Sequence, residues 1–435
     1  MEIRDPIHGS IELSPIEVTI CDSQEYQRLR SIKQLGFSEF SFPGATHNRF
    51  LHSVGVSYLA GQAFDSIFKR YPFTNLTSRQ NLRQCLKLAA LLHDIGHGPL
   101  SHTTEEVMPP LATLDLQIYD KYKTSYDKNR KANHEDFTIK FITDSNITKI
   151  IEDYGAFEPI HVAALIDSDL KVDDSFFVVD GVNFRPILSQ LVSSELDVDR
   201  MDYLIRDAYF CGTNYGKIEL SWLIGNLTYN QVENDMFLAL NRRALYTFDD
   251  FLLSRHHMHL MVYFHHKAIV YEEMLTRFLK SENCTFSLPS DLQKYIKCTD
   301  YALYQHIDEV QDQNTWAKRI ATRNPYRVLF EKHSYKNSEA IREVLNRLEG
   351  EGIETIYVSS STRLSKYQEA QFSMNNYALY VVEEYDKGST PSRIEDNTEI
   401  FEKYGDIRII ERIYVAPEKR SEAQFLLRES GLLAK

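Results

Sequence analysis

The sequence has few cysteines and no long apolar run. Its five cysteines are scattered without a Cys-x-x-Cys pair, which argues against a disulfide framework or a thiolate zinc site and favours a reducing, cytoplasmic compartment. No stretch approaches the roughly 20 apolar residues of a membrane-spanning helix, and the N-terminal MEIRDPIHGS does not read as a signal peptide. We find no internal repeat and no low-complexity segment, so an ordinary globular protein is expected.

Positive charge is also scarce. The 435 residues include 62 acidic and 49 basic side chains, which gives a net charge of −13. Surfaces that bind nucleic acid broadly need clustered Lys and Arg, so no extensive nucleic-acid surface is expected, and an anionic substrate would need a local positive pocket. The histidines, in contrast, are clustered: five of the 15 lie between positions 47 and 102, and five more between 256 and 266.

The central motif of the sequence is LAALLHDIGHGPLSH, residues 88–102. A run of apolar helical residues leads into His93 and Asp94, and His97 and His102 follow within ten residues. Such a group is costly to bury without partners, and a metal ion would supply one. The simpler interpretation is a polar helix end with surface histidines. The apolar run before the motif and the glycines within it, which allow close backbone approach, count against that interpretation.

The spacing of apolar residues predicts a mainly helical protein with a short N-terminal β element and a small C-terminal α+β lobe. Helical patterns dominate up to Asn324 and Pro325, after which strand-like and helical runs alternate. We therefore expect a helical core over residues 1–325 and an α+β lobe over residues 326–435.

Two segments before residue 140 have both simple and functional interpretations. A helix is predicted over residues 23–36 with Asp22 as its N-cap. Its basic residues are Arg28, Arg30 and Lys33. A solvated charged face is the simpler explanation for them. The polar stretch over residues 103–133 is predicted to be a long loop or lid, and its lysines are explained equally well as solvated side chains.

A predicted helix within SSELDVDRMDYLIRDAYFCG carries acids at helical spacing. Asp199, Tyr203 and Asp207 are four residues apart and share one face. A salt-bridged surface helix is one interpretation, but the apolar residues between the acids favour partial burial. Buried acids need a cation, which a metal ion or an arginine would supply.

A second predicted helix, spanning residues 248–275 without a break, aligns Arg255, His259 and Tyr263 on one face. This could be a purely structural face. A cation, an imidazole and a phenol that point into a pocket are also what recognition of a phosphate and a sugar would use.

Four residues from three segments make a set of candidate metal ligands. Two imidazoles and two carboxylates, from His52, His93, Asp94 and Asp199, suit Fe, Mn, Zn, Co or Ni better than Mg. If such a set leaves a position open, water bound there becomes a nucleophile at neutral pH. The sequence also offers cations for phosphate oxygens and imidazoles for proton transfer, namely Arg49, Arg200 and Arg255, and His97, His102 and His134. The implied reaction is metal-assisted hydrolysis of a phosphate ester.

These motifs together resemble the HD-domain phosphohydrolases, and more closely the deoxynucleoside triphosphate (dNTP) triphosphohydrolases typified by the sterile-alpha-motif-and-HD-domain protein. The segments that carry the resemblance lie in order between residues 2 and 270: DPIHGSIEL, QEYQRLRSIKQLG, FPGATHNRFLHSVGV, LLHDIGHGPLSH and LDVDRMDYLIRD. The C-terminal lobe matches only loosely, and we expect no sterile alpha motif domain before the HD region. The resemblance implies hydrolysis of dNTPs to a deoxynucleoside and inorganic triphosphate.

The resemblance also implies roles in catalysis. The four candidate ligands would hold a divalent transition metal, with Mg as a candidate second ion. His102 would protonate the leaving 5′-oxygen, with His97, His134 and Glu135 in supporting roles. A carboxylate beside a histidine can fix its tautomer, although a helix N-terminus would explain Glu135 equally well.

For the substrate, the resemblance implies both binding and selectivity. Asp207 would accept a hydrogen bond from the 3′-OH, and Tyr263 would fill the space that a ribose 2′-OH needs, so ribonucleotides should react poorly. Arg200 stands where the animal enzyme has Lys, which preserves the charge but changes its geometry. The full implied set is Gln34, Leu35, Arg49, Arg200, Tyr203, Asp207, Arg255, His259 and Tyr263.

Asp22, Gln27 and Arg30 match positions that bind a guanine nucleotide activator between subunits in the animal enzyme. The resemblance thus implies a GTP or dNTP activator and a homo-oligomer, a dimer or a tetramer.

Two alternatives stay open. The first is another HD phosphohydrolase, acting on nucleoside monophosphates, cyclic nucleotides or alarmones, and the second is a non-catalytic nucleotide sensor. The arginine and sugar sets argue against the first alternative, and the complete ligand set argues against the second.

Overall fold

The computed structural model describes residues 1–335, 339–364, 378–383, 390–404 and 407–432. Its α-helices are α1 (Pro15–Cys21), α2 (Gln24–Gln27), α3 (Arg49–Ile67), α4 (Leu76–Leu92), α5 (Gln117–Tyr122), α6 (His134–Thr143), α7 (Asn146–Tyr154), α8 (Pro159–Ile166), α9 (Arg185–Val192), α10 (Val198–Cys211), α11 (Leu220–Gly225), α12 (Leu245–Met258), α13 (His266–Leu279), α14 (Leu292–Tyr295), α15 (Asp300–Val310), α16 (Thr315–Ala321), α17 (Glu339–Gly350), α18 (Ile400–Lys403) and α19 (Arg420–Glu429).

The strands are β1 (Glu2–Asp5), β2 (Gly9–Glu12), β3 (Val178–Val179), β4 (Val182–Asn183), β5 (Leu227–Val232), β6 (Asp235–Asn241), β7 (Arg327–Ser334), β8 (Thr355–Thr362), β9 (Tyr380–Val382), β10 (Ser392–Arg393) and β11 (Arg408–Val415). The 3-10 helices are Arg28–Ser31, Gly36–Phe40, Ser101–Val107, Leu111–Leu114, Asp174–Phe177, Arg242–Ala244, Ile394–Asp396 and Pro417–Lys419, and a π-helix spans His259–Tyr263. Among the described residues, no helix has both the length and the apolar character that crossing a bilayer requires.

The centre of the helical region is α3, which packs against both α4 and α10. Helix α3 is buried on nearly every side, so it lacks the polar face of a surface helix. The side chains of Asn48, Asn75 and Asp197 cap the N-termini of α3, α4 and α10 respectively. Because each cap fixes where its helix begins, the three helices meet in a defined register.

Gly55 allows α10 to approach α3 closely. A Cβ atom at Gly55 would lie 2.2 Å from Oδ1 of Asp202 and 2.4 Å from Nη2 of Arg206. Both of these side chains are fully buried and are bonded to each other, so neither can move aside at low cost. The glycine therefore permits a buried ion pair to sit against the backbone of α3.

We expect Gly55→Ala to lower the free energy of unfolding by about 1–3 kcal/mol, the usual cost of overpacking a core. The matched control is Gly61→Ala on the same helix, where a Cβ atom meets the flexible side-chain atoms of Arg83 and Lys87 at 3.1 and 3.3 Å. Urea denaturation of both variants measures the effect. Equal stability of the two variants would contradict the role of Gly55.

The C-terminal part of the described chain contributes to two sheets. Strands β7, β11 and β8 form an antiparallel sheet in that order, and α17 and α19 pack against it. Strand β9 instead pairs in parallel with β6 of the helical region, and Leu379 and Phe401 belong to its hydrophobic core. The structure confirms the predicted fold class. The boundary at residue 325 stays a prediction. Strand β9 lies after this boundary in the sequence but pairs with a strand of the helical region.

The predicted helix over residues 23–36 is wrong. Its N-cap is Ser23, because Asp22 ends α1, and the α-helix stops after one turn and continues as the 3-10 helix Arg28–Ser31. Ile32 is extended, and Lys33 then pairs with Asn48 in an isolated β-bridge. This tertiary pairing outweighs the local helix propensity of the sequence, so the helix ends before Ile32.

Two further expectations are wrong. The predicted helix over residues 248–275 is interrupted by the π-helix and by His265, whose side chain caps the next helix α13. The stretch over residues 103–133 is not an irregular loop, since it contains short helices and buries Met108, Leu111 and Leu114 in the core. Periodicity detected the apolar faces of these segments but not their local breaks.

Candidate active site

The four predicted metal ligands meet at one place. His52 lies in the first turn of α3, His93 and Asp94 directly follow α4, and Asp199 lies in the first turn of α10. Nε2 of His52 lies 2.9 Å from Oδ1 of Asp199 and 3.6 Å from Oδ2 of Asp94. Nε2 of His93 lies 3.4 Å from Oδ1 of Asp94 and 3.5 Å from Oδ1 of Asp199. Three helices therefore bring two imidazole nitrogens and two carboxylates together.

The ring nitrogens in this group are arranged as metal ligands. Nδ1 of His93 donates to the Ala90 carbonyl oxygen at 2.8 Å, and Nδ1 of His52 donates to Oδ2 of Asp202 at 2.8 Å. These bonds leave each Nε2 as the nitrogen that faces the carboxylates, and neither Nε2 has an aligned hydrogen-bond partner among the described residues. Two buried, oriented imidazole nitrogens that face two carboxylates fit a divalent transition metal.

The electrostatics of the group also favour a cation. Burial lowers the pKa of His52, but the carboxylates of Asp199 and Asp202 outweigh burial and raise it to about 10. Burial raises the pKa of Asp199, but His52 and His93 hold it well below its ordinary value. The carboxylates therefore stay ionised, and the group gains by holding positive charge, either as a proton or as a metal ion.

A second layer of buried charge supports His52. Oδ1 of Asp202 accepts a hydrogen bond from Nε2 of His8 at 2.6 Å, and Arg206 donates to both oxygens of Asp202 at 2.7 and 2.9 Å. Arg206 also donates to Asp5 at 2.8 Å. Sequence reasoning missed this network, because Asp5 and His8 lie about two hundred residues from their partners. Its one local signal was an aspartate three residues after Asp199, with an arginine one turn further along the helix.

Arg49 and Arg28 hold in place residues 93–100, the loop after α4 that we call the HD loop. Arg49 forms a salt bridge with Asp94 and donates from Nε to the Ser101 hydroxyl at 2.8 Å. Arg28 is buried and donates to the carbonyl oxygens of Ile95, at 3.1 Å, and of His97. Arg28 therefore stabilises the loop that contains Ile95 and His97. The expectation that Arg28 lies on a solvated face is wrong.

His102 follows a strained turn. Leu100 and Ser101 both have positive φ angles, 52° and 60°, in the left-handed region that side chains disfavour. The turn is held from outside, because the Leu100 N–H donates to Asp300 at 2.8 Å and the Ser101 hydroxyl donates to the Lys33 carbonyl oxygen at 2.9 Å. Strain of this kind persists only where neighbours enforce it, and it often marks a functional site.

Beside the predicted metal ligands lies a second group of titratable side chains. His102 and His134 each place Nδ1 against the same oxygen of Glu105, at 3.0 and 2.5 Å. The rings of His97 and His134 stack with centroids 3.9 Å apart. Burial raises the pKa of Glu105, but its hydrogen bonds to His102 and His134 outweigh burial and lower it to about 2. Glu135, the predicted partner of His134, is exposed. The carboxylate that contacts His134 is that of Glu105.

The arginines predicted for phosphate binding are held by carboxylates. Arg200 pairs with Asp197, the N-cap of its own helix. Arg255 donates to Oε2 of Glu195 at 2.9 Å, and the other oxygen of Glu195 lies 3.9 Å from Arg200. Glu195 is buried, so one carboxylate draws both guanidinium groups to the same side of the site. Glu195 was missed because nothing local distinguishes it from a surface glutamate.

The residues predicted to bind the sugar also converge. The Tyr263 hydroxyl donates to Oδ2 of Asp207 at 2.8 Å, and the rings of Tyr203 and Tyr263 meet edge to face at 6.2 Å. His259 packs edge-on against Tyr263 at 5.0 Å. His47, which sequence reasoning missed, bonds the other oxygen of Asp207 at 2.7 Å.

Gln34 and Leu35 are placed by the chain around His47. The Gln34 N–H donates to the His47 carbonyl oxygen at 3.0 Å, and Leu35 precedes the 3-10 helix Gly36–Phe40. Oε1 of Gln34 is buried and has no partner among the residues that the structure describes. A buried amide oxygen without a partner is available to a ligand.

The three residues predicted to bind an activator lie close together. Gln27 donates to the Cys21 carbonyl oxygen at 2.7 Å and accepts from Arg30 at 2.8 Å, and Asp22 directly follows Cys21. The Arg30 guanidinium lies 3.6 Å from the centre of the Phe50 ring. Asp22 and Arg30 are exposed, and nucleotide binding at this surface stays a prediction.

Comparison with known families agrees with this geometry. The HD domain model matches residues 49–207, and the model of the HD associated region matches residues 218–385. The chain therefore belongs to the HD-domain family of metal-dependent phosphohydrolases, in which histidine and aspartate side chains hold a divalent ion.

The chain is also similar to individual named proteins. The chain is 29% identical over 375 residues to "Deoxynucleoside triphosphate triphosphohydrolase SAMHD1" of Gallus gallus, a match that covers 80% of this chain and 59% of the relative. The Homo sapiens protein of the same name is 29% identical over 359 residues, covering 76% and 55%. The uncharacterized protein YwfO of Bacillus subtilis is 31% identical over 278 residues, covering 63% and 54%. The match thus spans less than two thirds of the length of each of these relatives.

Among solved structures, a hypothetical protein from Aquifex aeolicus matches nearly the whole chain. The TM-score is 0.76 at 26% identity, and the match covers 98% of this chain and 99% of the other. The C-terminal part that resembled the animal enzymes only loosely is therefore part of a fold that also occurs elsewhere.

Proposed function

We propose that this protein hydrolyses deoxynucleoside triphosphates to a deoxynucleoside and inorganic triphosphate. The observation that carries the proposal is the arrangement along α10, which presents Asp199, the proposed metal ligand, and Asp207, the proposed sugar-site residue, on one face. At 1.5 Å per residue, the step of eight residues from one to the other covers about 12 Å. That distance suits a sugar with a phosphate chain, since Arg200 and Arg255 lie beside one end and Tyr263 bonds the other.

The proposed binding of the triphosphate begins with Arg49, Arg200 and Arg255. Each guanidinium bonds a carboxylate. A guanidinium carries five N–H donors, so donors beyond this pair can serve phosphate oxygens. A divalent metal held by His52, His93, Asp94 and Asp199 would supply Lewis acidity that lowers the pKa of water at the α-phosphate.

The proposed proton donor is His102. Its side chain is 70% exposed, so its free Nε2 can reach a substrate, while Glu105 orients the ring through Nδ1. Water attacks the α-phosphorus, the bond from phosphorus to the 5′-oxygen breaks, and the 5′-oxygen takes the proton from His102. His134 shares Glu105 with His102, and His97 stacks on His134, so both support the position of the acid.

Selectivity for deoxyribose is proposed to come from Tyr263. We expect Tyr263→Ala to open space for a 2′-OH and to raise the kcat/KM of each ribonucleotide relative to its deoxynucleotide by about 10- to 100-fold, the range in which a pocket distinguishes a hydroxyl by shape. The matched control Tyr263→Phe keeps the ring but loses the bond to Asp207, so it should stay selective at a lower rate. Unchanged selectivity in the alanine variant would rule out the steric role.

The proposed function is tested with a panel of nucleotides. The purified protein is incubated with Mn²⁺ or Mg²⁺ and with each dNTP, ribonucleotide, nucleoside monophosphate, cyclic nucleotide and guanosine alarmone, with Asp199→Asn as the inactive control. We expect consumption of dNTPs alone. Consumption of a monophosphate, cyclic nucleotide or alarmone instead would favour a different HD phosphohydrolase, and nucleotide binding without turnover would favour a sensor.

We also propose that the surface formed by Asp22, Gln27 and Arg30 binds a GTP or dNTP activator in a homo-oligomer in the cytoplasm. Supporting this, Arg30 and Asp22 are exposed although Gln27 and Phe50 hold Arg30 in place. Repeating the panel with and without GTP, and with Arg30→Ala, tests this part. Activation by GTP should be lost in the variant, and activation that survives the substitution would place the activator elsewhere.

A further inference from the structure

A group of four side chains outside the predicted metal centre has the composition of a metal site. His97, His102, Glu105 and His134 each offer one ligand atom, and these atoms all lie within 4.8 Å of one another. Three imidazoles and one carboxylate form a donor set that zinc accepts, with bonds of about 2.0–2.2 Å and tetrahedral geometry. The four residues come from the HD loop, the 3-10 helix Ser101–Val107 and the first turn of α6.

Part of the group is assembled already. Glu105 receives both His102 and His134 on one oxygen, at 3.0 and 2.5 Å, so two imidazoles and a carboxylate share one point. His97 is almost fully buried, and its Nδ1 has no hydrogen-bonding partner among the described residues. A cation at this point would replace protons that the imidazoles and Glu105 now share, since metal ligands bind in their deprotonated forms.

The chemistry of the donors selects the class of ion. Nitrogen-rich sets favour Zn²⁺ and similar transition metals over Mg²⁺, which requires oxygen donors. His102 is the exposed member of the group, so its side chain can rotate to complete the coordination as an ion enters from solvent. This group shares no residue with the predicted metal centre of His52, His93, Asp94 and Asp199. The two groups are neighbours, since Nε2 of His97 lies 3.3 Å from Oδ1 of Asp94.

We propose that His97, His102, Glu105 and His134 form a second site, selective for a zinc-class ion, that inhibits the enzyme when it is filled. An ion there binds the neutral form of His102, so the ring no longer carries the additional proton that it would deliver to the 5′-oxygen. The inhibition rests on the proposed function, whereas the binding site does not. Turnover should therefore fall in step with binding of the second zinc ion, whether Mn²⁺ or Zn²⁺ fills the first centre, and unchanged turnover with both sites filled would overturn the inhibition.

The test counts bound zinc in the full chain by mass spectrometry of the metal after equilibration with Zn²⁺ and removal of free ion. We expect two zinc ions per wild-type chain, one in Glu105→Gln, one in Asp199→Asn, which loses the first centre, and none in the double variant. The matched control is Glu106→Gln, next to Glu105 but paired with exposed Lys280 at 2.8 Å, which should keep two. Because Glu105→Gln could disturb the fold, His134→Gln is measured as well and should also bind one.

One zinc ion per wild-type chain at saturation would overturn the proposal, as would two ions in both Glu105→Gln and His134→Gln. Replacing zinc with Co²⁺ supplies a second readout, because a four-coordinate site that includes histidine nitrogens gives visible absorption, which should fall in Glu105→Gln and persist in Glu106→Gln. The zinc count does not depend on turnover. If the protein binds two zinc ions but does not hydrolyse dNTPs, the second site stands and the proposed function is rejected. If it hydrolyses dNTPs but binds one zinc ion, the proposed function stands and the second site is rejected.

Discussion

Replacing His102 with glutamine is expected to lower kcat by about 10²–10⁴-fold, the range that a general acid contributes, while nucleotide affinity stays close to wild type. The reason is that His102 extends from a turn with two left-handed residues toward solvent, and only its Nδ1 is engaged, by Glu105. Its loss removes the proposed proton donor for the 5′-oxygen without removing a ligand of the first metal centre or an arginine. Steady-state kinetics and equilibrium binding of a dNTP in Ca²⁺ separate the two effects.

The control for this variant is His333→Gln, which removes an exposed imidazole that is also paired with a glutamate, Glu331, at 2.9 Å. His333 lies on β7, outside the proposed site, and its loss should leave kcat unchanged. A His102→Gln enzyme with wild-type kcat would remove His102 from its role. A rise in KM at constant kcat would instead make His102 a binding residue.

The second large effect is expected for Asp202→Asn, which should weaken binding of the first metal ion by about 10–100-fold, as is usual when a partner of a metal-binding histidine is changed. Asp202 touches no predicted ligand atom. It accepts from Nδ1 of His52 at 2.8 Å and thereby orients Nε2 toward Asp94 and Asp199. The carboxylate also stabilises the imidazole as a ligand, and an amide does so less.

The same substitution should also destabilise the fold, because it removes the main counter-charge of fully buried Arg206. Breaking a buried pair from one side costs roughly 3–5 kcal/mol. The control is Asp65→Asn on α3, a half-exposed carboxylate that pairs with Arg79 and Arg83 and should change neither property much. Competition with a metal-sensitive dye and urea denaturation give the two readouts. Wild-type metal affinity in a folded Asp202→Asn protein would contradict the supporting role of Asp202.

The sequence was most informative where ligands lie on regular helices. His93 and Asp94 end a strongly apolar run, and Asp199 and Asp207 share a face at a spacing that an α-helix preserves, so both local geometry and residue type indicated a site. In the structure His93, Asp94 and Asp199 lie together with His52, whereas Asp207 lies two turns further along α10 and bonds Tyr263. The fold class followed from the same periodicity, which is robust for long helices such as α3 and α4.

Local pattern failed where distant contacts decide the conformation. Nothing around Glu105 distinguishes it from Glu106, yet one bonds two site histidines and the other pairs with a surface lysine. Glu135 was favoured because it adjoins His134 in sequence, although adjacent helical residues do not face each other. Likewise, the helix expected to contain Arg28 ends early because Lys33 pairs with Asn48, a contact that no window around Arg28 contains.

The central claim is that water attacks the α-phosphorus of a dNTP and expels the 5′-oxygen. Hydrolysis in ¹⁸O-labelled water, followed by mass spectrometry of both products, tests it directly. The account predicts intact triphosphate that carries one ¹⁸O atom and an unlabelled deoxynucleoside. Label in the 5′-hydroxyl, or release of orthophosphate or pyrophosphate in place of triphosphate, would contradict it.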